Sequence, residues 1–236
     1  MEVQIAVAKV QKYAVSNSGD TVEVVERPQG GMSVVMADGQ SSGRGAKSVS
    51  TMVVRKVISL LAEGVRDGAA ARAASDALYT ERNGKVSSTL NILSIDQQSQ
   101  TMVITRNNPA PALVAIQDRI QVLDEPCHPV GFYRDTRPVI TEIGLVPGLI
   151  AVVFSDGLIH AGDRCGEHMD VVAYFQSLLE EEVPSPQLIA DSFLEHAMRL
   201  DEHRPVDDIS VVVVGVLKLR GDEVRRMTVR LPIRTY

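Results

Sequence analysis

The stretch from Met32 to Ala46, MSVVMADGQSSGRGA, limits the fold more than any other part of the chain. An apolar run that reads as a buried strand stops abruptly at Asp38-Gly39. A glycine-bearing turn then launches a long amphipathic helix from about Gly45. The Asp38 carboxylate therefore stands at the rim of a sheet, and Gly39, with no Cβ, lets its own carbonyl approach a ligand or an ion. Asp-Gly after a strand is ordinarily just a turn, so the weight of this dipeptide depends on what the rest of the chain brings to it.

The flanking segments read as strands and helices in a definite order. Val3 to Val10 alternates apolar and polar residues. Thr21 to Glu26 follows the turn cluster Ser16-Asn17-Ser18-Gly19-Asp20, and with the Asp38 strand these make an expected antiparallel meander. From Ala46 to Val65, Val49, Val53, Val57, Leu60 and Leu61 recur at helical steps, and an Ala-rich second helix runs from about Ala69 to Tyr79. Strands are expected at Thr89–Ile95, Thr101–Thr105, Ala112–Ile116, Ile120–Val122, Val139–Ile143 and Leu149–Phe154. The last is nearly all apolar and ends in Ser155-Asp156-Gly157, repeating the pattern at Asp38. A helical insert follows, with periodic segments Val171–Leu179 and Gln187–Leu200 around a solvated Glu180-Glu181-Glu182 turn. Pro205-Val206-Asp207-Asp208 opens a β-branched strand, Ile209–Val216, and a final strand is expected from Glu223 to Leu231. There is no repeat or linker, and 236 residues suffice for one full core, so a single domain over 1–236 is expected.

Charge and composition exclude several functions. A net charge of −6 offers no basic stripe for a phosphate backbone, so nucleic acid is not an expected partner. No apolar run reaches the ~18 residues needed to cross a bilayer, and MEVQIAVAKVQ lacks the layout of a signal peptide. A cytoplasmic protein without a membrane partner is expected. Cys127 and Cys165 lie near His128 and His168, but adjacent Cys-His is not a usual zinc spacing, and ordinary thiols are expected.

Asp20, Asp38, Asp156 and Asp207 share one local setting, the edge of a strand in or beside a turn. Carboxylates gathered at one sheet edge repel one another unless cations neutralise them, and hard divalent cations want oxygen ligands. Two such ions side by side suit in-line attack at phosphorus.

In order and spacing, Gly19-Asp20, Ala37-Asp38-Gly39 with Ser42-Gly43-Arg44-Gly45-Ala46, Phe154-Ser155-Asp156-Gly157 and Asp207-Asp208-Ile209-Ser210-Val211 resemble the motifs of metal-dependent protein serine/threonine phosphatases. The similarity is to the type 2C superfamily (PPM), in its bacterial SpoIIE-like branch. It is supported by Asn107-Asn108-Pro109-Ala110-Pro111-Ala112-Leu113 and Pro129-Val130-Gly131, and it spans about residues 15–216. It implies an α+β fold, a four-layer αββα sandwich of two antiparallel sheets flanked by helices. It also implies two Mn²⁺ or Mg²⁺ ions, with Asp38 bridging both, the Gly39 carbonyl offered to one, and Asp20, Asp156 and Asp207 completing the shell directly or through water. Asp208 is expected to shape the turn. The implied activity is hydrolysis of phosphoserine or phosphothreonine on a partner regulatory protein by a hydroxide held between the ions, in bacterial partner-switching or stress-response signalling. Regulation is expected from the partner or from expression. A non-catalytic phosphoprotein-binding module and a phosphatase for a small metabolite are the competing readings.

Two positions depart from the animal enzymes. Their phosphate-binding arginine corresponds to a position near Val15, and the histidine after Asp-Gly is Gln40, so phosphate binding and the general acid are unassigned. His160, four residues beyond Asp156, is the candidate acid, with a plain surface or capping histidine as the alternative. Partner recognition is expected on the insert between Gly162 and Arg204, which leaves the sheet after Asp156 and returns before Asp207.

Overall fold

The computed structural model describes residues 1–117, 119–180, 184–219 and 221–232. In chain order its elements are β1 (Glu2–Val10), β2 (Asp20–Glu26), β3 (Met32–Gly39), α1 (Gly43–Ala62), α2 (Asp67–Arg82), β4 (Ser88–Asp96), β5 (Thr101–Asn107), β6 (Ala112–Ile116), β7 (Arg119–Leu123), β8 (Val139–Gly144), β9 (Leu149–Phe154), α3 (Asp156–Ile159), α4 (Val171–Leu179), α5 (Pro186–Leu200) and β10 (Ile209–Leu217). The strands form two antiparallel sheets, β1-β10-β9-β6-β7 and β2-β3-β4-β5-β8.

Strands that are apolar at nearly every position must be covered on both faces, and the layering does this. In β3, Val34 and Met36 point between the sheets, while Val35 and Ala37 point at α1 and α2. In β9, Ala151 and Val153 point between the sheets, and Ile150, Val152 and Phe154 meet Phe175 of α4 and Phe193 of α5. In β10, Val212 and Val214 face inward and Val211 and Val213 face the helices, as period-two geometry demands. The result is a four-layer αββα sandwich with three apolar seams. Truncating a fully buried aromatic such as Phe193 to Ala removes about 3–5 kcal/mol. Among the described residues no helix is long and apolar enough to cross a membrane.

Several sequence expectations are corrected. β1 is not part of a meander with β2 and β3; it is the edge of the other sheet, paired with β10 from Glu2↔Leu217 to Val10↔Ile209. No strand forms over Glu223–Leu231, where Met227, Val229 and Leu231 stay exposed and Arg225 reaches Glu26 at 2.9 Å. The two helices of the insert do not overhang the end of the sheets: α5 lies on β1 and β10, and α4 on α5 and β7. Of the expected Glu180-Glu181-Glu182 turn, positions 181 and 182 lie outside the described residues.

Antiparallel pairing fixes where the acidic residues go. In the second sheet β2 starts where β3 ends, with Asp20 directly opposite Asp38. In the first, β9 ends where β10 starts, with Phe154 opposite Val211, so Asp156 and Asp207 flank that junction. The two junctions lie at the same end of the sandwich, because the Ser210 hydroxyl donates to Asp20 Oδ2 at 2.6 Å and the Gly19 amide donates to Asp208 Oδ2 at 2.6 Å.

Candidate metal centre

A cleft of about 760 Å³ opens at this end, and Asp38, Gly39, Asp156 and Asp207 all line it. Asp20 is fully buried behind Asp38 and does not reach the cleft. Both Asp-Gly glycines are dictated by a neighbouring backbone. A Cβ on Gly39 would lie 2.1 Å from the Ala46 carbonyl oxygen of α1, and one on Gly157 would lie 2.2 Å from the Asp208 carbonyl oxygen. The bare α-carbons let α1 and the 207–208 turn close on the strand ends, which brings Asp38, Asp156 and Asp207 to one opening.

Other motif residues brace that opening. Asp208 accepts from the Lys12 and Gly19 amides, holding the 11–19 loop, so it shapes the turn as expected. The Ser155 hydroxyl donates to the Asp208 carbonyl and accepts from the Ser210 amide. Asn108 Nδ2 donates to the Phe154 carbonyl at 3.0 Å, while its Oδ1 accepts from the Ala110 amide, tying the Asn107-Asn108-Pro109 turn to the end of β9. Arg106 is buried as a strut: its guanidinium donates to the carbonyls of Asn108, Ala110 and Glu125. Gln40, in the position of the missing histidine, accepts from the Ser87 amide at 2.9 Å and pins the strand opposite.

The electrostatics are those of crowded carboxylates. Burial, then Asp20 and Asp156, push the Asp38 carboxyl far above the usual carboxylate range. Burial also raises Asp20, against the lowering effect of the Ser210 hydroxyl, and raises Asp207. Asp20 Oδ1 is buried without a hydrogen-bond partner among the described residues. Without cations the Asp38 carboxyl keeps a proton that a carboxyl in water would have lost.

His160 caps the C-terminus of the four-residue α3 and is largely exposed at the rim of the cleft. Its Nδ1 lies 3.0 Å from Asp163, which also takes His168 Nδ1 at 2.8 Å, so His160 is oriented by Asp163 and not by Asp156. Sequence reasoning missed Lys12. It is the only lysine or arginine lining the cleft among the described residues, its positive charge acts on Asp207, and its ammonium has no partner there. A lone lysine in a turn carries no pattern; the signal was the absence of any other cation to face an anion at an acidic opening.

Whether divalent ions suit this centre is decided by its donors. Asp38, Asp156, Asp207 and the Gly39 carbonyl are all oxygen donors, the preference of hard cations. The orphaned Asp20 oxygen and the proton-retaining Asp38 are what an anionic site shows before a cation replaces the proton. The residues fit. Among the described residues, no three histidine, cysteine or carboxylate groups already stand close enough to hold an ion, so a bound ion would take part of its shell from the Gly39 carbonyl and water.

Comparison with known proteins bears on the same elements. The Stage II sporulation protein E of Priestia megaterium is 22% identical over 211 residues, 89% of this chain but 36% of that protein, so the chain spans about a third of its relative's length. The structure of the PP2C phosphatase domain and a fragment of the regulatory domain of SpoIIE from Bacillus subtilis superimposes with a TM-score of 0.79 at 20% identity, covering 93% of this chain and 64% of that one. The catalytic domain of the serine/threonine protein phosphatase PstP, in complex with two manganese ions, gives 0.71 at 16% identity over 92% of this chain and 99% of that one. At such identities these two structures establish the shared sandwich. The family model for Stage II sporulation protein E (SpoIIE) matches residues 28–217, a span that holds β3, β9, the start of β10 and hence Asp38, Gly39, Asp156 and Asp207, and on that match the chain belongs to the SpoIIE family.

Proposed function

We propose that the protein is a metal-dependent phosphatase that hydrolyses phosphoserine or phosphothreonine on a partner regulatory protein, in a bacterial cytoplasmic signalling pathway of the partner-switching or stress-response kind. The observation that carries this reading is the convergence of Asp38, Gly39, Asp156 and Asp207 on one open cleft, with Asp20 buried behind them and Lys12 facing them. Two Mn²⁺ or Mg²⁺ ions held by Asp38, Gly39, Asp156 and Asp207 would supply Lewis acidity and a nucleophile made from water at neutral pH. Asp20, out of reach of the cleft, acts from behind Asp38 through its charge, which raises the Asp38 carboxyl and sharpens its demand for a cation. Lys12 holds a phosphoryl oxygen, the task that the animal enzymes give to an arginine. The openness of the cleft suits a phosphorylated side chain presented from a protein surface, because such a residue needs access and not enclosure.

The experiment is Mn²⁺-dependent hydrolysis of p-nitrophenyl phosphate and of a phosphoserine peptide by the purified chain. Turnover of both, abolished by chelator, supports the proposal. Tight binding of the phosphopeptide with no turnover in any divalent metal would instead establish the non-catalytic binding module.

A further inference from the structure

A second concavity, of about 540 Å³, lies along the outward side of α1 against Asn17 of the 11–19 loop. Its lining includes Arg44, Lys47 and Arg55 and no carboxylate, on a chain whose net charge is −6. Lys47 is already committed: its ammonium donates to the Asp20 carbonyl and the Thr21 hydroxyl, both at 2.8 Å. Arg44 and Arg55 are exposed and make no ion pair or side-chain hydrogen bond among the described residues. With Ser48 and Thr51 they fall at steps of four, three and four residues, so one helical stripe carries a free guanidinium at each end and hydroxyls between. Eleven residues of helix place the two arginines roughly 16 Å apart along the axis. An extended peptide covers that span in about five residues.

The groove and the cleft are lined by the same two chain segments. Ser41 and Ser42 line the cleft, and Arg44 follows two residues later at the first turn of α1; Asn17 belongs to the same loop as Lys12. A chain whose phosphorylated residue sits over Asp38 can continue across Ser42 onto Arg44.

We propose that the α1 groove is a docking site for an acidic segment of the phosphoprotein substrate, with carboxylates about five residues apart taken by Arg44 and Arg55. The proposal deepens the phosphatase reading and rests on it. A guanidinium fork matches a carboxylate in a bidentate manner, and two such forks without internal partners on an acidic protein select for negative charge. The spacing, wider than one phosphoryl group, selects a peptide over a second phosphate. Within the insert, α4 and α5 cover the outer face of the first sheet, away from this groove.

The test uses fluorescein-labelled phosphoserine peptides of equal length whose flanking residues, on one side or the other, are Glu, Gln or Lys. Their hydrolysis is measured with wild-type protein and with an R44Q/R55Q variant whose melting curve is checked first. The Glu-flanked peptide is expected to have a KM about fivefold below the Gln-flanked one at low salt, for one choice of side. That preference should vanish in the variant and in high salt, while kcat and KM for p-nitrophenyl phosphate stay unchanged. No preference for Glu in the wild type, or a preference that survives in the variant, overturns the proposal. Fluorescence anisotropy with the Glu peptide lacking phosphate, on metal-free protein, reads the groove without turnover. Failure of p-nitrophenyl phosphate hydrolysis therefore counts against the phosphatase reading, while failure of this titration counts against the groove.

Discussion

At the scale of single residues, what matters is which charges the cleft contains and how each is held. Lys12 is anchored through its backbone amide to Asp208, leaving its ammonium free among Asp38, Asp156 and Asp207. Removing a cation that holds a phosphoryl oxygen in the ground state and the transition state alike raises KM with little change in kcat. Lys12→Met is therefore expected to raise KM for p-nitrophenyl phosphate by about tenfold, the order of one charge-assisted hydrogen bond, and to weaken competitive inhibition by inorganic phosphate in parallel. A fall in kcat alone would assign Lys12 elsewhere. His160 is the other group to test. A serine alkoxide needs a proton to leave and p-nitrophenolate does not, and general acids contribute about a hundredfold or more. If His160 supplies that proton, with Asp163 fixing its Nδ1 side, His160→Ala slows a phosphoserine peptide by that order and leaves p-nitrophenyl phosphate nearly untouched. An unchanged ratio of the two rates makes it a surface capping residue.

At the scale of elements, the centre depends on strand ends being approached by other backbone. Gly157 lies in the first turn of α3 where the Asp208 carbonyl passes, and even the smallest side chain would sit 2.2 Å from that oxygen. Gly157→Ala must push the 207–208 turn away from β9. Overpacking of this kind costs about 1–3 kcal/mol, or on the order of 2–12 °C of melting temperature for a chain of this size. Because Asp207 moves with the turn, the expected loss of metal-dependent turnover exceeds what the stability change explains; calorimetric Mn²⁺ titration beside a melting curve separates the two. Legibility in the sequence follows the same division. Asp38 and Asp156 could be read because a fully apolar strand ending in Asp-Gly is a local signal, and Asp207 because a β-branched run follows it at once. The position of β1 could not: its partner β10 lies some two hundred residues away, and alternation within Val3–Val10 says only that one face is buried. The same weakness produced the false strand at Glu223–Leu231, where alternating apolar residues find no partner and remain in water. The insert was misplaced because topology fixes where it departs and returns, whereas Phe175, Ile189 and Phe193 decide which face it covers.

At the scale of the whole molecule, the acidic end is where two sheets with separate helical coats meet. Asp20 and Asp38 come from one sheet, Asp156 and Asp207 from the junction of the other. Ions held at that place would join the two halves, so binding should be visible as global stability and not merely as activity. At a free Mn²⁺ concentration a hundred times the dissociation constant, linkage gives about 2.7 kcal/mol, roughly 5–10 °C. The metal-free protein carries the opposite signature. A carboxyl whose pKa is raised by folding, as burial, Asp20 and Asp156 raise that of Asp38, holds its proton more tightly in the native state than in the unfolded chain. Its contribution to stability is complete below the ordinary carboxylate range and is lost as pH rises through the raised value. In chelator, the wild type should therefore lose stability on going from mildly acid to neutral and alkaline pH. Asp38→Asn, which carries no charge to bury, should flatten that slope and melt higher than the wild type at neutral pH. In Mn²⁺ the order should reverse if Asp38 is the carboxylate that draws the ions in, because the variant lacks it. Melting curves of both proteins with chelator and with Mn²⁺, across pH 5 to 9, settle the matter: an equal Mn²⁺ increment in the two, or a variant less stable than the wild type without metal, would show that Asp38 is not the residue on which the ions depend.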